Sequence, residues 1–238
     1  MTHAPARAAL ACASFSLLVS LSGCGKPTSY EVVLELRPDS VSHYFEPMRQ
    51  RYDACVLEAK KLALPVKPFT VAPADFLPGR TTVISDGKSF YKKIIGFRMI
   101  PHHITPERGC GTDIVKLEDL TIVHNGSSYT TDNWDGHPTL TLPEDTNPPN
   151  LAQFAVFTVP KTINGVPLKC AGPKAHPSQQ ESNWCIIDPD VVIAANANGT
   201  PLIAHQRLDF LKPRAVLGET PVSLKVGVKV DPAIFAQR

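Results

Sequence analysis

Cysteines carry the most evident chemistry in this 238-residue chain, which contains six of them. A cysteine serves as a nucleophile, as a metal ligand or, in an oxidising compartment, as half of a disulfide. Zinc sites are typically built from close pairs such as Cys-x-x-Cys, and the sequence has no such pair. The spacing therefore favours disulfides over a zinc site, and we predict neither a metal nor a cofactor.

Other short catalytic motifs give no positive signal. The sequence has no G-x-S-x-G, no H-E-x-x-H and no glycine loop of the phosphate-binding type. His102 and His103 are adjacent, so in a strand they would point to opposite faces and would not share a metal. Residues 131–142 resemble a calcium loop, but Thr131 and Leu142 stand where the ion needs acidic ligands. We therefore predict no catalytic residue.

The N-terminal segment has the pattern of an export signal. Residues 1–8 are polar and include Arg7, and residues 9–21 are uncharged and mostly apolar. This is the order of regions in a secretory signal peptide. The apolar run is shorter than the roughly 20 residues that a transmembrane helix needs. We therefore expect export rather than a membrane-spanning helix.

The segment ends in Leu21-Ser22-Gly23-Cys24, which resembles the lipobox of bacterial lipoproteins at all four positions. The resemblance implies acylation of the Cys24 thiol, cleavage just before Cys24 and acylation of the new N-terminus. Gly25, in place of Asp, implies sorting to the outer membrane, facing the periplasm. Two or more acyl chains give stable anchoring. The alternative is an ordinary secretory signal in which Cys24 is incidental.

Three segments follow from this interpretation. We expect residues 1–23 to be a cleaved signal peptide, 24–29 a short lipidated tether and 30–238 a single β-rich domain. The mature chain would carry 23 basic and 22 acidic residues, because the removed segment contains one arginine and no acid. This balance gives no argument for binding nucleic acid. Residues 143–150 are rich in Pro, Asn and acids, so they are either a subdomain boundary or a surface loop, and we favour the loop.

The four cysteines of the expected domain predict two disulfides. An even number of cysteines in an exported chain is typical of a disulfide framework, and four cysteines allow three pairings. We predict Cys55 with Cys110 and Cys170 with Cys185. The second pair would close a loop rich in Gly, Pro and Ser, which stabilises the fold by about 3 kcal/mol in the chain-entropy model.

The remaining pattern predicts a mainly β or α+β fold, with an antiparallel sheet or β-sandwich and one amphipathic helix. We expect the helix at residues 47–63, with Pro47 in its first turn. Strands are expected to include residues 30–36, 191–195 and 222–230. Asp-Gly and Asn-Gly turns are expected to join hairpins; they lie at residues 85–88, 124–127, 164–165 and 196–199.

Loop aromatics in polar surroundings are the best candidates for a binding site, because such residues often anchor interfaces. The residues are Trp134, Asp135, His137 and Trp184. Packing beside the disulfide at Cys185 is the alternative role for Trp184. The leading hypothesis is a membrane-anchored periplasmic lipoprotein that binds another protein without catalysis, as an immunity protein, an inhibitor or an envelope assembly factor. Binding of a small ligand or glycan is the second hypothesis, and a periplasmic hydrolase of unfamiliar type is the third.

Overall fold

The computed structural model describes residues 27–72, 76–102, 109–131, 138–139, 146–210 and 215–236. These residues form three helices and eleven strands, followed by a C-terminal 3-10 helix at Pro232–Ala236. The helices are α1 (Val41–Lys61), α2 (Leu151–Phe154) and α3 (Pro177–Glu181). The strands are β1 (Tyr30–Pro38), β2 (Gly79–Ser85), β3 (Phe90–Pro101), β4 (Thr112–His124), β5 (Ser127–Thr131), β6 (Pro138–Thr139), β7 (Phe157–Ile163), β8 (Val166–Ala171), β9 (Cys185–Ile187), β10 (Ile203–Phe210) and β11 (Ala215–Val226).

The strands form one antiparallel sheet in the order β6-β5-β4-β3-β2-β1-β11-β10-β9-β8-β7. Strands from both sides of residues 143–150 belong to it. Three of its hairpins are the predicted ones. Gly87, Asn125 and Asn164 have positive φ angles of 87°, 51° and 51° at the turns, a conformation that Gly and Asn tolerate. The predicted β-rich class with an antiparallel sheet is confirmed.

The sheet curls so that strands far apart in its order share one core. Val83 of β2 and Leu168 of β8 belong to the same buried cluster, although four strands lie between them in the sheet. Tyr30 of β1 also reaches across, donating a hydrogen bond of 2.8 Å from its hydroxyl to the Ala195 carbonyl. Burial raises the pKa of the Tyr30 hydroxyl. The arrangement resembles a sandwich made by a single folded sheet.

Helix α1 begins earlier than predicted. Its N-cap is Ser40, whose hydroxyl accepts a 3.3 Å hydrogen bond from the His43 amide, so Pro47 lies inside the helix. A cap that satisfies a free amide determines where the helix starts, and the prediction gave too much weight to Pro47. Only Phe45 and Ala59 of α1 are buried. Its other residues are partly or fully exposed, and three of them pack against a cluster that includes Met99 of β3.

Two predicted strands differ in the structure. Strand β11 ends at Val226 because Gly227 turns the chain with a φ of 65°. Within β11, Pro221 pairs with Leu34 and Ser223 pairs with Val33, so Val222 is an extra, bulged residue.

The predicted strand at residues 191–195 is wrong. Val192 and Ala194 are buried alternately, as in a strand, but the segment makes only an isolated bridge at Ala195 with Pro201. Alternating burial therefore arises here without ladder pairing.

Candidate functional site

Only one of the four candidate interface residues lies within the described structure. Trp134, Asp135 and His137 fall outside the described residues, and so does Cys24 of the lipobox. Trp184 is described and half-buried. The candidate site is therefore built around Trp184.

The two predicted disulfides are present. Cys55 of α1 is bonded to Cys110, with 5.8 Å between the Cα atoms. Cys170 and Cys185 are directly opposite each other on β8 and β9, with 3.8 Å between the Cα atoms. The second disulfide fixes the residue next to Trp184 to the neighbouring strand.

The short helix α3 determines where Trp184 lies. Its N-cap is His176, whose amide donates a 3.0 Å hydrogen bond to the Gln179 side-chain oxygen. At the other end Asn183 takes a left-handed φ of 50°, and the Trp184 amide donates to the Gln179 carbonyl at 2.9 Å. With the Asn183 amide bonded to the Gln180 carbonyl at 3.1 Å, this is a Schellman motif. The motif turns the chain sharply so that Trp184 leaves the helix at a fixed angle.

The indole of Trp184 packs on a small apolar cluster. The buried members of this cluster are Phe154, Phe157 and Ile186. The Trp184 carbonyl also accepts a 2.8 Å hydrogen bond from the Ala171 amide of β8. One part of the Trp184 ring therefore packs on this cluster, and another part of its surface is exposed to solvent.

The open surface of Trp184 faces a groove of about 630 Å³, hereafter the Trp184 groove. This volume lies within the range of about 300–1,000 Å³ that is usual for small-molecule sites. Its described lining is apolar or carries neutral amides and a hydroxyl, with no charged side chain. The lining residues are Ala152, Gln153, Val156, Phe157, Gln179, Trp184, Asn196, Thr200, Pro201 and Ile203.

Two of the lining side chains are already oriented by internal hydrogen bonds. The Asn196 side-chain nitrogen donates to the Thr200 hydroxyl at 3.1 Å and to the Pro201 carbonyl at 3.3 Å. The Gln179 side-chain oxygen accepts from His176, as described above. The groove thus offers pre-oriented neutral hydrogen-bonding groups around an aromatic ring.

A separate polar cluster involves His205. Its Nδ1 lies 2.9 Å from the Glu219 carbonyl oxygen, and its Nε2 lies 3.3 Å from Lys161 Nζ. Burial and the Lys161 charge lower the pKa of His205, and the hydrogen bond to the Glu219 carbonyl opposes this. With both nitrogens engaged in this way the His205 ring is held in place, and neither nitrogen is paired with a hydroxyl or thiol nucleophile.

Glu219 of β11 carries a partly buried carboxyl group. Gln206 donates a 2.6 Å hydrogen bond to its side chain. Burial raises the pKa of Glu219, and the Gln206 hydrogen bond and the Lys92 charge oppose this. Sequence patterns missed this group because Glu219 lies in a segment that the prediction did not assign to a strand.

Sequence reasoning named Trp184 as a candidate but did not predict the groove around it. The groove residues come from α2, α3, the start of β7, the loop at residues 196–201 and the start of β10. Their proximity depends on how the sheet curls, which no local pattern encodes. One sequence signal could have indicated part of the site. The pair His176-Pro177 is a possible start of the short helix that precedes Trp184.

Comparisons with protein-family models, with curated proteins and with solved structures give no match. Among the described helices, none combines the length and apolar character needed to cross a membrane. In the same part of the chain, no three His, Cys, Asp or Glu side chains come together in a way that would hold a metal ion.

Proposed function

We propose that this chain is a membrane-anchored periplasmic lipoprotein that binds another protein, without catalysis, through the Trp184 groove. Its partner would be a toxic effector or envelope enzyme that it neutralises, or a component of an envelope assembly. The observation that carries the proposal is the half-buried Trp184 ring set in an open, neutral groove. The lipobox resemblance at Cys24 and the two disulfides support an exported, anchored protein.

The groove has the anatomy of a protein-binding hot spot. Hot spots are enriched in tryptophan and surrounded by polar contacts that exclude water when the partner docks. Leu151 precedes the lining residue Ala152 in the chain and exposes 60% of its surface, so it is available for an apolar contact with a partner. Gln153 and Gln179 supply neutral hydrogen-bonding groups that a partner backbone can pair with.

The test is site-specific photo-crosslinking in the envelope of the native bacterium. The full chain would carry a photoreactive phenylalanine analogue in place of Gln153, with Lys229, which is exposed and outside the groove, as the matched control position. We expect one discrete protein adduct from position 153 that is absent from position 229 and lost on Trp184→Ala. Adducts of equal yield at both positions, or an adduct unchanged by Trp184→Ala, would refute binding through this groove.

A neutral glycan is the second candidate ligand, favoured by the uncharged amide lining of the same groove. Sugars bind through aromatic rings and neutral hydrogen-bonding side chains. In a Trp134→Phe background, Trp184 is the only tryptophan, so its fluorescence reports on the groove. Saturable, salt-independent changes with neutral envelope oligosaccharides would favour the glycan. An unchanged spectrum at millimolar sugar would remove this candidate.

The anchor has its own test, which does not depend on the groove. Cells would be fed an alkyne-tagged fatty acid, and the chain would be isolated and labelled through the alkyne. We expect Cys24→Ser to abolish the label and to leave the precursor uncleaved, whereas Cys12→Ser should change neither. A normally lipidated Cys24→Ser chain would overturn the lipobox interpretation.

A further inference from the structure

A second cavity lies between α1 and the sheet. The cavity has a volume of about 390 Å³ and is called the α1 groove hereafter. Most of its lining is apolar, including both Met48 and Met99. It shares no lining residue with the Trp184 groove, so it is a separate site.

The charge in the α1 groove has one sign. Arg51 and Arg98 line it, and its described lining includes no acidic side chain. Tyr44, also in the lining, is partly buried. Burial raises the pKa of its hydroxyl, and the positive charge of Arg98 opposes this. The groove therefore combines an apolar interior with two cationic side chains.

We propose that the α1 groove binds a single-chain amphiphile with an anionic head, namely a long-chain fatty acid anion. The alkyl chain lies along Phe45, Met48 and Met99, where burial of methylene groups is favourable. The carboxylate lies at Arg51, because a guanidinium group binds a carboxylate with paired hydrogen bonds. Charge complementarity selects this occupant, since an uncharged chain would gain nothing from Arg51.

The methionines give a direct reporter of this groove. The chain contains three methionines: Met48 and Met99 line the groove, and the third is Met1. Spectra of the full Cys24→Ser chain, labelled with ¹³C at the methionine methyl groups, would be recorded with decanoate, dodecanoate and 1-decanol. The Met48→Leu and Met99→Leu variants assign the two signals.

We expect saturable shifts of both the Met48 and Met99 signals with decanoate. Dodecanoate should bind about 15-fold more tightly than decanoate, which is the equivalent of two additional buried methylene groups. Because 1-decanol lacks the charge, it should bind about fivefold more weakly than decanoate, the value of one partly exposed ion pair. No saturable shift, or equal affinity for decanoate and 1-decanol, would overturn the proposal.

Arginine variants supply the matched control. Arg51→Gln should weaken decanoate binding about fivefold without changing 1-decanol binding, and Arg51→Lys should retain most of the affinity. Arg49→Gln should change neither, because the Arg49 guanidinium stacks 4.0 Å from the Phe69 ring centroid and does not line the groove. Equal losses from Arg49→Gln and Arg51→Gln would contradict the proposal. Shifts produced only by vesicles of anionic phospholipid would also contradict it, because they would indicate that this surface binds a membrane and not a single fatty acid.

Discussion

Removing the Cys55–Cys110 disulfide should destabilise the fold more than removing the Cys170–Cys185 disulfide. The first joins residues 55 positions apart, which in the chain-entropy model corresponds to about 4.2 kcal/mol of unfolding free energy. The second spans 15 positions and corresponds to about 3.0 kcal/mol. The expected difference between the two double alanine variants is therefore about 1 kcal/mol.

The structure adds a local effect to this difference. Near its C-terminal end α1 is held by the disulfide, by the buried Ala59 and by a 2.7 Å hydrogen bond from the Tyr52 hydroxyl to the Lys67 carbonyl. Without the disulfide, few contacts oppose opening of this half of the helix. Amide hydrogen exchange of residues 52–61 should therefore become faster than that of the sheet.

The assay is urea unfolding at 25 °C of the wild-type chain and of two double variants, Cys55→Ala with Cys110→Ala and Cys170→Ala with Cys185→Ala. Hydrogen exchange on the same three samples reports the local opening. If the Cys170/Cys185 variant were the less stable one, or if α1 kept its protection in the Cys55/Cys110 variant, the reasoning would be wrong.

Three smaller predictions concern single side chains. Burial acts to raise the pKa of Glu35, but hydrogen bonds from Arg80 and Arg37 outweigh it and the pKa is lowered. Glu35→Gln should therefore lower the free energy of unfolding by about 1 kcal/mol at pH 7, since both arginines are partly exposed. This loss should disappear as the pH falls below 4.5, the ordinary pKa of a glutamate. Urea titrations at pH 7 and pH 3 test this. Tyr30→Phe leaves the partly buried Ala195 carbonyl without its donor and should cost about 1 kcal/mol in thermal or urea unfolding. The pKa of Glu219 is raised. The stability of the wild-type chain relative to Glu219→Gln should therefore fall as the pH rises above 4.5, the ordinary pKa of a glutamate. Unchanged relative stability between pH 4 and pH 7 would contradict this.

Local chemistry accounts for the parts of the fold that the sequence predicted. At Asn125-Gly126 and Asn164-Gly165 both residues adopt positive φ, and few other residue types tolerate this. The turn type then determines which strand segments pair. The helix boundary was wrong because Ser40 and Pro47 are both start signals, and the sequence does not show which one the chain uses.

The candidate site was less predictable than the hairpins. Trp184 stood out by residue type, but Gln153 and Asn196 reach it only because the sheet curls and brings separate segments together. The α1 groove has the same origin, since its lining comes from α1 and from strands β1, β3, β4 and β11. Such sites depend on tertiary packing, which short-range patterns do not encode.

The most direct test of the account is the affinity of the crosslinked partner, once purified, for the wild-type chain and for Trp184→Ala. If Trp184 anchors the interface, its loss should weaken binding about 30-fold, the lower limit of a hot-spot residue. Leu151→Ala, which alters an exposed side chain, should weaken binding without changing the urea midpoint. Equal affinities for the wild-type chain, Trp184→Ala and Leu151→Ala would contradict the claim that this protein works through the Trp184 groove.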